Sequence, residues 1–232
     1  MDIVEESRSN GITITLRRPP SALAEHAAAI REALGRDLPS DLAAFYAEGD
    51  GLRYEATGPH GETIGEEAEI YGLQEAFAGF RAHRPLPSIE AFEEDDEMSD
   101  QPFYEELWSE EFPLDSEEDL DRLNKLRRSK VLVSIPGESA WLTIDLLDPD
   151  APYRIGLAQD GCDLHPLDLS FPDFVASFRR FGAARWYLAF AGRAAEEAMN
   201  IDFASTLAAS LAPFAKAWPD EVAALVARVE GR

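Results

Sequence analysis

The chain has little cysteine, little positive charge and no long apolar run. Its 232 residues include one cysteine, Cys162, so an intramolecular disulfide is excluded and a reducing compartment is favoured. Lys and Arg number 21 against 45 Asp and Glu, a net charge of -24 that repels nucleic acid and anionic membranes and attracts basic partners. No apolar run approaches the roughly 20 residues that span a bilayer, and Met1 to Glu6 lack the charged and apolar regions of a secretory signal. We therefore expect a cytoplasmic protein that binds neither nucleic acid nor membrane.

Residue patterns typical of catalytic or metal sites are also scarce. No two of His26, His60, His83 and His165 stand at a metal-ligand spacing, and Cys162 has no second cysteine beside it. Cys162 and His165 are three apart, which on a strand directs their side chains to opposite faces. With 45 acids, chance carboxylate pairs are guaranteed and do not argue for acid–base chemistry. The sequence predicts no catalytic residue, no metal site and no cofactor.

Hydrophobic periodicity and turn residues predict an α+β fold. The predicted strands cover 12–16, 52–56, 68–73, 130–135, 140–145, 153–158 and 162–167. The predicted helices cover about 21–34, 40–49, 74–82, 119–128 and 170–181, with two or three more in the alanine-rich stretch 193–232, broken near Asn200. The hairpin series 130–167 predicts a meandering antiparallel sheet, and the alanine-rich stretch predicts a C-terminal helical extension.

The composition changes abruptly in one segment. Between Glu90 and Asp121 there are 16 acidic residues and no Lys or Arg, interspersed with aromatic residues. Carboxylates in register can mimic a nucleic-acid backbone, and aromatic side chains can anchor an interface. The candidate partner-binding residues are Glu93, Glu94, Asp95, Asp96, Glu97, Phe103, Tyr104 and Trp108. The alternative interpretation is a solvated acidic loop whose aromatics pack on their own domain.

Three motifs resemble the SUKH superfamily, which includes the fungal Smi/Knr cell-wall regulators and many bacterial immunity proteins. The first is Leu-Pro-x-Asp-Leu-x-x-Phe-Tyr ending in Gly-Asp-Gly, over 38–51. The second is the hairpin series 131–167, with a Trp-Leu-x-Ile-Asp strand and an Asp-Gly turn. The third is Ser-Phe-x-x-Phe at 170–174. The motif residues with expected structural roles are Leu38, Pro39, Phe45, Gly49, Asp50, Gly51, Trp141, Asp160, Gly161 and Phe174. Asp50 stands where the family usually has asparagine.

The resemblance implies an α+β fold with a single curved, mainly antiparallel sheet and helices packed on it. The SUKH-like domain would cover 1–192, interrupted by the acidic insertion at about 88–129. The helices in 193–232 exceed the family's core pattern, and we expect them to pack on this domain or on a partner. The resemblance also implies the neutralisation of a bacterial toxin by direct binding. Our leading prediction is a non-enzymatic immunity protein, monomeric or homodimeric, that binds a basic toxin domain. Two alternatives stay open: an intracellular scaffold or regulator that binds a signalling or cell-wall protein, and a hydrolase using acids near Asp50.

Overall fold

The computed structural model describes residues 2–65, 67–77, 87–88, 116–135, 140–147, 151–159 and 163–231. Their strands are β1 (Ile3–Ser9), β2 (Ile12–Arg18), β3 (Leu52–Thr57), β4 (Ala68–Ile70), β5 (Ser129–Ser134), β6 (Ala140–Asp145), β7 (Arg154–Gln159) and β8 (Asp163–Pro166). Their α-helices are α1 (Leu23–Leu34), α2 (Ser40–Glu48), α3 (Leu73–Ala76), α4 (Glu117–Arg128), α5 (Phe171–Phe181), α6 (Arg193–Met199), α7 (Phe203–Leu211) and α8 (Pro219–Glu230). Among these residues no helix combines the length and apolar character that crossing a bilayer requires.

The α+β class and the antiparallel pairing are confirmed, but the strands divide into two sheets. β1-β2-β3-β4 form one four-stranded antiparallel sheet, and β5-β6-β7-β8 form the other. The Tyr71 N–H beside β4 donates to the Leu132 carbonyl of β5 at 2.9 Å, so the sheets meet at their edges. The expected single sheet is therefore corrected to two sheets. Strand periodicity reports which residues share a face, and it does not report where the ladder between strands stops.

The core lies on one face of each sheet. In β2 the buried Ile12, Ile14 and Leu16 alternate with more exposed residues, which is the pattern of a half-buried strand. β6 is buried along its whole length, because the main core covers one of its faces and α4 lies against the other side of the second sheet. Leu123 and Leu126 of α4 are fully buried.

Helix α5 fills the centre of the core with aromatic rings. Ser170 caps its N-terminus by accepting the Asp173 N–H at 3.2 Å, as the Ser-Phe-Pro-Asp sequence predicts. Phe174 stacks on Phe171 and meets Trp186 edge-on, with centroid distances of 5.8 and 5.7 Å. These buried rings fix the helix against the first sheet and hold the surrounding surface in place.

The C-terminal helices pack back on the same core. Phe203, Leu207 and Leu211 of α7 and Phe214 beyond it are buried in the main hydrophobic cluster. The predicted break at Asn200 is confirmed, since this residue ends α6 in the left-handed conformation with φ 51°. Residues 193–231 thus bury an apolar face against the body of this chain.

Candidate functional site

The predicted partner-binding residues lie outside the described residues. These residues are Glu93, Glu94, Asp95, Asp96, Glu97, Phe103, Tyr104 and Trp108. The motif residues Asp160 and Gly161, and Cys162 at the start of the last predicted strand, lie outside the described residues too. The partner-binding roles stay predictions.

The Gly49-Asp50-Gly51 turn joins α2 to β3 and supports α3. The Asp50 Oδ1 atom accepts the Leu73 backbone N–H at 2.7 Å, which satisfies a free donor at the start of α3. Gly51 has φ +87°, and a Cβ there would lie 2.6 Å from the Ile70 carbonyl oxygen. An asparagine at Asp50 would offer the same acceptor atom, so the departure from the family pattern preserves this contact. Asp50 is a helix cap in this structure.

The other described motif residues build the core. Phe45 meets Tyr46 and Phe171 edge-on at 5.0 and 5.4 Å. Pro39 precedes the first residue of α2, Leu38 packs against the main cluster, and Trp141 is buried in β6. These contacts hold the first and third motifs against each other. The described motif residues are therefore fold determinants.

A groove of about 550 Å³ runs between α2 and α5 and has Arg18 at its base. The Arg18 Nη1 donates to Glu48 at 2.8 Å, and the guanidinium carbon lies 4.4 Å from the centre of the Phe45 ring. Burial lowers the pKa of Arg18, and the Glu48 carboxylate opposes that shift. Glu48 and the Phe45 ring hold the guanidinium in one position, which argues for a structural role.

Tyr153 bridges the two helices that form this groove. Its hydroxyl donates to the Asp41 Oδ2 of α2 at 2.6 Å and accepts the Phe171 N–H of α5 at 2.9 Å. Burial, followed by the hydrogen bond to Asp41, raises the pKa of Tyr153 to about 12. The hydroxyl is thus a neutral donor at ordinary pH, and it fixes α2 relative to α5.

Tyr153→Phe is expected to lower the free energy of unfolding by about 1–2 kcal/mol, because two hydrogen bonds disappear and the Phe171 N–H loses its partner. The measurement is urea denaturation of both proteins, read as a shift in midpoint at an unchanged slope. An unchanged midpoint would show that this bridge does not stabilise the fold.

A second cavity, of about 460 Å³, lies where α4 meets the second sheet. Lys125, Arg128, Asp145 and Arg154 line it together with the Thr143 hydroxyl and apolar side chains. The Arg128 Nη2 lies 3.0 Å from the Asp145 Oδ2, and the Asp145 Oδ1 accepts the Leu147 N–H at 2.8 Å. Asp145 is only 4% exposed. The ion pair ties the end of α4 to β6. Among the described residues, no three His, Cys, Asp or Glu side chains form a group that could hold a metal ion.

The described arginines mostly serve contacts within the chain. Ten of them pair with carboxylates at nitrogen–oxygen distances of 2.6 to 3.9 Å. These pairs are Arg17–Glu55, Arg18–Glu48, Arg31–Asp37, Arg53–Glu69, Arg122–Asp119, Arg128–Asp145, Arg179–Glu5, Arg180–Glu221, Arg193–Glu197 and Arg228–Asp168. Arg36 donates to the carbonyls of Leu146 and Pro152. Acidic residues outnumber basic ones by 45 to 21. Each ion pair engages one basic and one acidic residue, so the excess of carboxylates over basic groups is unchanged.

The hydrophobic periodicity of the sequence did not predict strand β1, which lies at the surface. Its residues are exposed over most of the strand, so they show no apolar alternation. The available signal was Asn10-Gly11, a dipeptide strongly associated with two-residue hairpin turns. Both residues have positive φ, 45° and 89°, and Ser9 lies opposite Ile12 in the resulting hairpin.

Comparisons of the chain with protein-family models, curated proteins and solved structures gave no match. The resemblance to the SUKH superfamily therefore depends on the motif residues themselves.

Proposed function

We propose that this chain is a non-enzymatic, cytoplasmic binding protein of the immunity type, which neutralises a basic toxin domain by direct contact. The observation that carries the proposal is the net charge of -24, with 16 acids and no base between Glu90 and Asp121. Such a field attracts a positively charged protein and accelerates its association.

The ion pairs described above support this proposal. Most described arginines form contacts within the chain, so few positive groups on the described surface can bind an acidic partner. The carboxylates that outnumber the basic groups give the chain its negative charge, which favours a positively charged partner. A nuclease toxin fits this requirement, because its cleft is built to bind an anionic backbone. Acids held at the spacing of that backbone would compete for the cleft.

The rigid core supports the proposal in a different way. A binding protein loses less entropy on association when its surface is already ordered. Phe174, Phe178 and Trp186 are completely buried in the centre of the molecule. The aromatic run 171–190 therefore serves the scaffold, and the aromatic anchors of the interface are proposed to be Phe103, Tyr104 and Trp108.

The proposal is tested by capturing the partner of the tagged chain from its source cells and identifying it by mass spectrometry. The expected partner is a basic toxin domain, bound with an affinity that falls as salt rises. Capture of a housekeeping signalling or cell-wall protein would favour a scaffold or regulator instead. Turnover of a small molecule by the purified chain would contradict the proposal.

A further inference from the structure

Among the residues that the structure describes, the outer edge of the first sheet is open along β1. β1 pairs with β2 on one side, and within the described residues no strand lies on its other side. Ile3 and Val4 are each 50% exposed, and they are the exposed large apolar residues of the described surface. An open edge offers unpaired backbone N–H and C=O groups to an extended segment of another chain.

The hairpin geometry determines which backbone groups face outward. In a two-residue hairpin, the residues flanking the turn form a hydrogen-bonded pair, here Ser9 with Ile12. Hydrogen-bonded and non-hydrogen-bonded pairs alternate along an antiparallel ladder. Every second residue back from Ser9 therefore bonds to β2. The residues between them, Val4, Glu6 and Arg8, direct their N–H and C=O groups away from the sheet.

Contacts at the hairpin turn and within the strand hold this edge in place. The Ser9 Oγ donates to the Ala217 carbonyl at 3.2 Å, and the Asn10 side-chain amide donates to the Lys216 carbonyl at 2.8 Å. On α5, Arg179 donates to Glu5 at 2.7 Å. The strand is thus ordered before a partner arrives, which reduces the entropic cost of strand addition.

The side chains of β1 define what would pair with it. Ile3 and Val4 are apolar, and the next two residues, Glu5 and Glu6, are acidic. Glu5 accepts the Arg179 hydrogen bond at its Oε2 atom, and its side chain is still 49% exposed. Opposite charges and apolar side chains are favoured as direct cross-strand neighbours. An antiparallel segment that matches β1 therefore carries two consecutive Lys or Arg residues followed by two apolar residues.

We infer that the β1 edge binds, by strand addition, an extended basic-basic-apolar-apolar segment of the partner. This inference rests on the proposed function and adds the place and the chemistry of one contact. A second copy of the chain fits less well. If the β1 strands of two copies paired about a two-fold axis at Glu5 or Glu6, that glutamate would lie opposite its own copy, and the like charges would repel. An axis at Ser7 avoids this contact, but it still brings together two chains that each carry a net charge of -24.

The test uses a capped, fluorescent peptide, Glu-Ser-Lys-Lys-Val-Ile, whose two lysines match Glu6 and Glu5 and whose last two residues match Val4 and Ile3. Methylating the backbone nitrogens of the first Lys and the Val removes the N–H groups that face β1. Affinity measured by fluorescence anisotropy is expected to fall about tenfold or more. Methylating the second Lys and the Ile, whose N–H groups face away, is the matched control and should change affinity less than about twofold. Absence of peptide binding, or equal loss with both methylated peptides, would overturn the inference.

A protein variant supplies the second arm. Glu6→Pro removes an outward N–H and spares the bonds to β2, since proline is tolerated where an edge N–H faces solvent. We expect the peptide affinity to fall by about tenfold or more with an unchanged circular dichroism spectrum, whereas Glu6→Gln removes the charge alone and has a smaller effect. A partner that binds Glu6→Pro as tightly as wild type would disprove the β1 contact and leave the proposed function standing. A homodimer that Glu6→Pro dissociates in sedimentation would assign the edge to a second copy and overturn the inference.

Discussion

Replacing Glu93, Glu94 and Glu97 by lysine is expected to slow association with the captured partner by roughly 10- to 100-fold at low salt. Long-range attraction between the acidic segment and a basic surface acts on the encounter, so the association rate falls more than the dissociation rate rises. The measurement is stopped-flow or surface-plasmon kinetics over a series of salt concentrations. The variant should show a flatter dependence of association rate on salt than the wild type.

The matched control reverses the same number of charges elsewhere. Glu25 and Glu32 of α1 and Glu230 of α8 are exposed residues at a distance from the segment in sequence. The triple lysine variant at these positions changes the net charge by the same amount. We expect it to slow association by less than the first variant does. Equal effects of the two variants would show that total charge, rather than the position of the acidic segment, governs the encounter.

Gly51→Ala is expected to lower the free energy of unfolding by about 3 kcal/mol. Its φ of +87° is unfavourable for a residue with a Cβ, and that Cβ would lie 2.6 Å from the Ile70 carbonyl oxygen. The start of β3 or the end of β4 would have to shift to relieve the contact. Chemical denaturation monitored by circular dichroism measures the change.

Gly35→Ala separates the two causes of that loss. Gly35 also has a positive φ, +66°, but a Cβ there has no atom within 4 Å. This variant should cost only the backbone strain, about 1 kcal/mol. If Gly51→Ala costs no more than Gly35→Ala, the close approach to Ile70 does not constrain the turn.

Where the apolar pattern was strong, the local structure followed from the sequence. The strand Ala140–Asp145 has the predicted bounds, and Ser170 caps α5 as predicted. Both depend on short-range chemistry: branched and aromatic residues in a run, or a hydroxyl placed to accept a free backbone N–H. The Gly-Asp-Gly turn was also recognisable, although its role as the cap of α3 required a contact 23 residues away.

Features that depend on tertiary contacts were harder to predict from the sequence. The division into two sheets depends on where β4 stops pairing, and no local pattern encodes that point. β1 escaped prediction because an edge strand buries neither face well, so its residues carry no period-two apolar signal. Its turn dipeptide was the better indicator. The candidate partner-binding residues lie outside the described residues, and the kinetic experiment with the lysine variants tests their role.

The acidic segment and the β1 edge are expected to affect different rate constants of binding, which kinetic measurements can separate. Charge in the acidic segment should act chiefly on association, because it operates at long range. Backbone pairing at β1 forms only after contact, so Glu6→Pro should act chiefly on dissociation. A partner whose association and dissociation respond separately to the two variants would support both contacts.

We propose that this chain acts by stoichiometric binding. The most direct measurement titrates the activity of the captured toxin with increasing amounts of the purified chain and follows each mixture over time. We predict that inhibition is complete when the two proteins are present in about equal amounts, and that it does not increase with incubation. Progressive inactivation of many toxin molecules by each chain would reveal turnover and contradict the account.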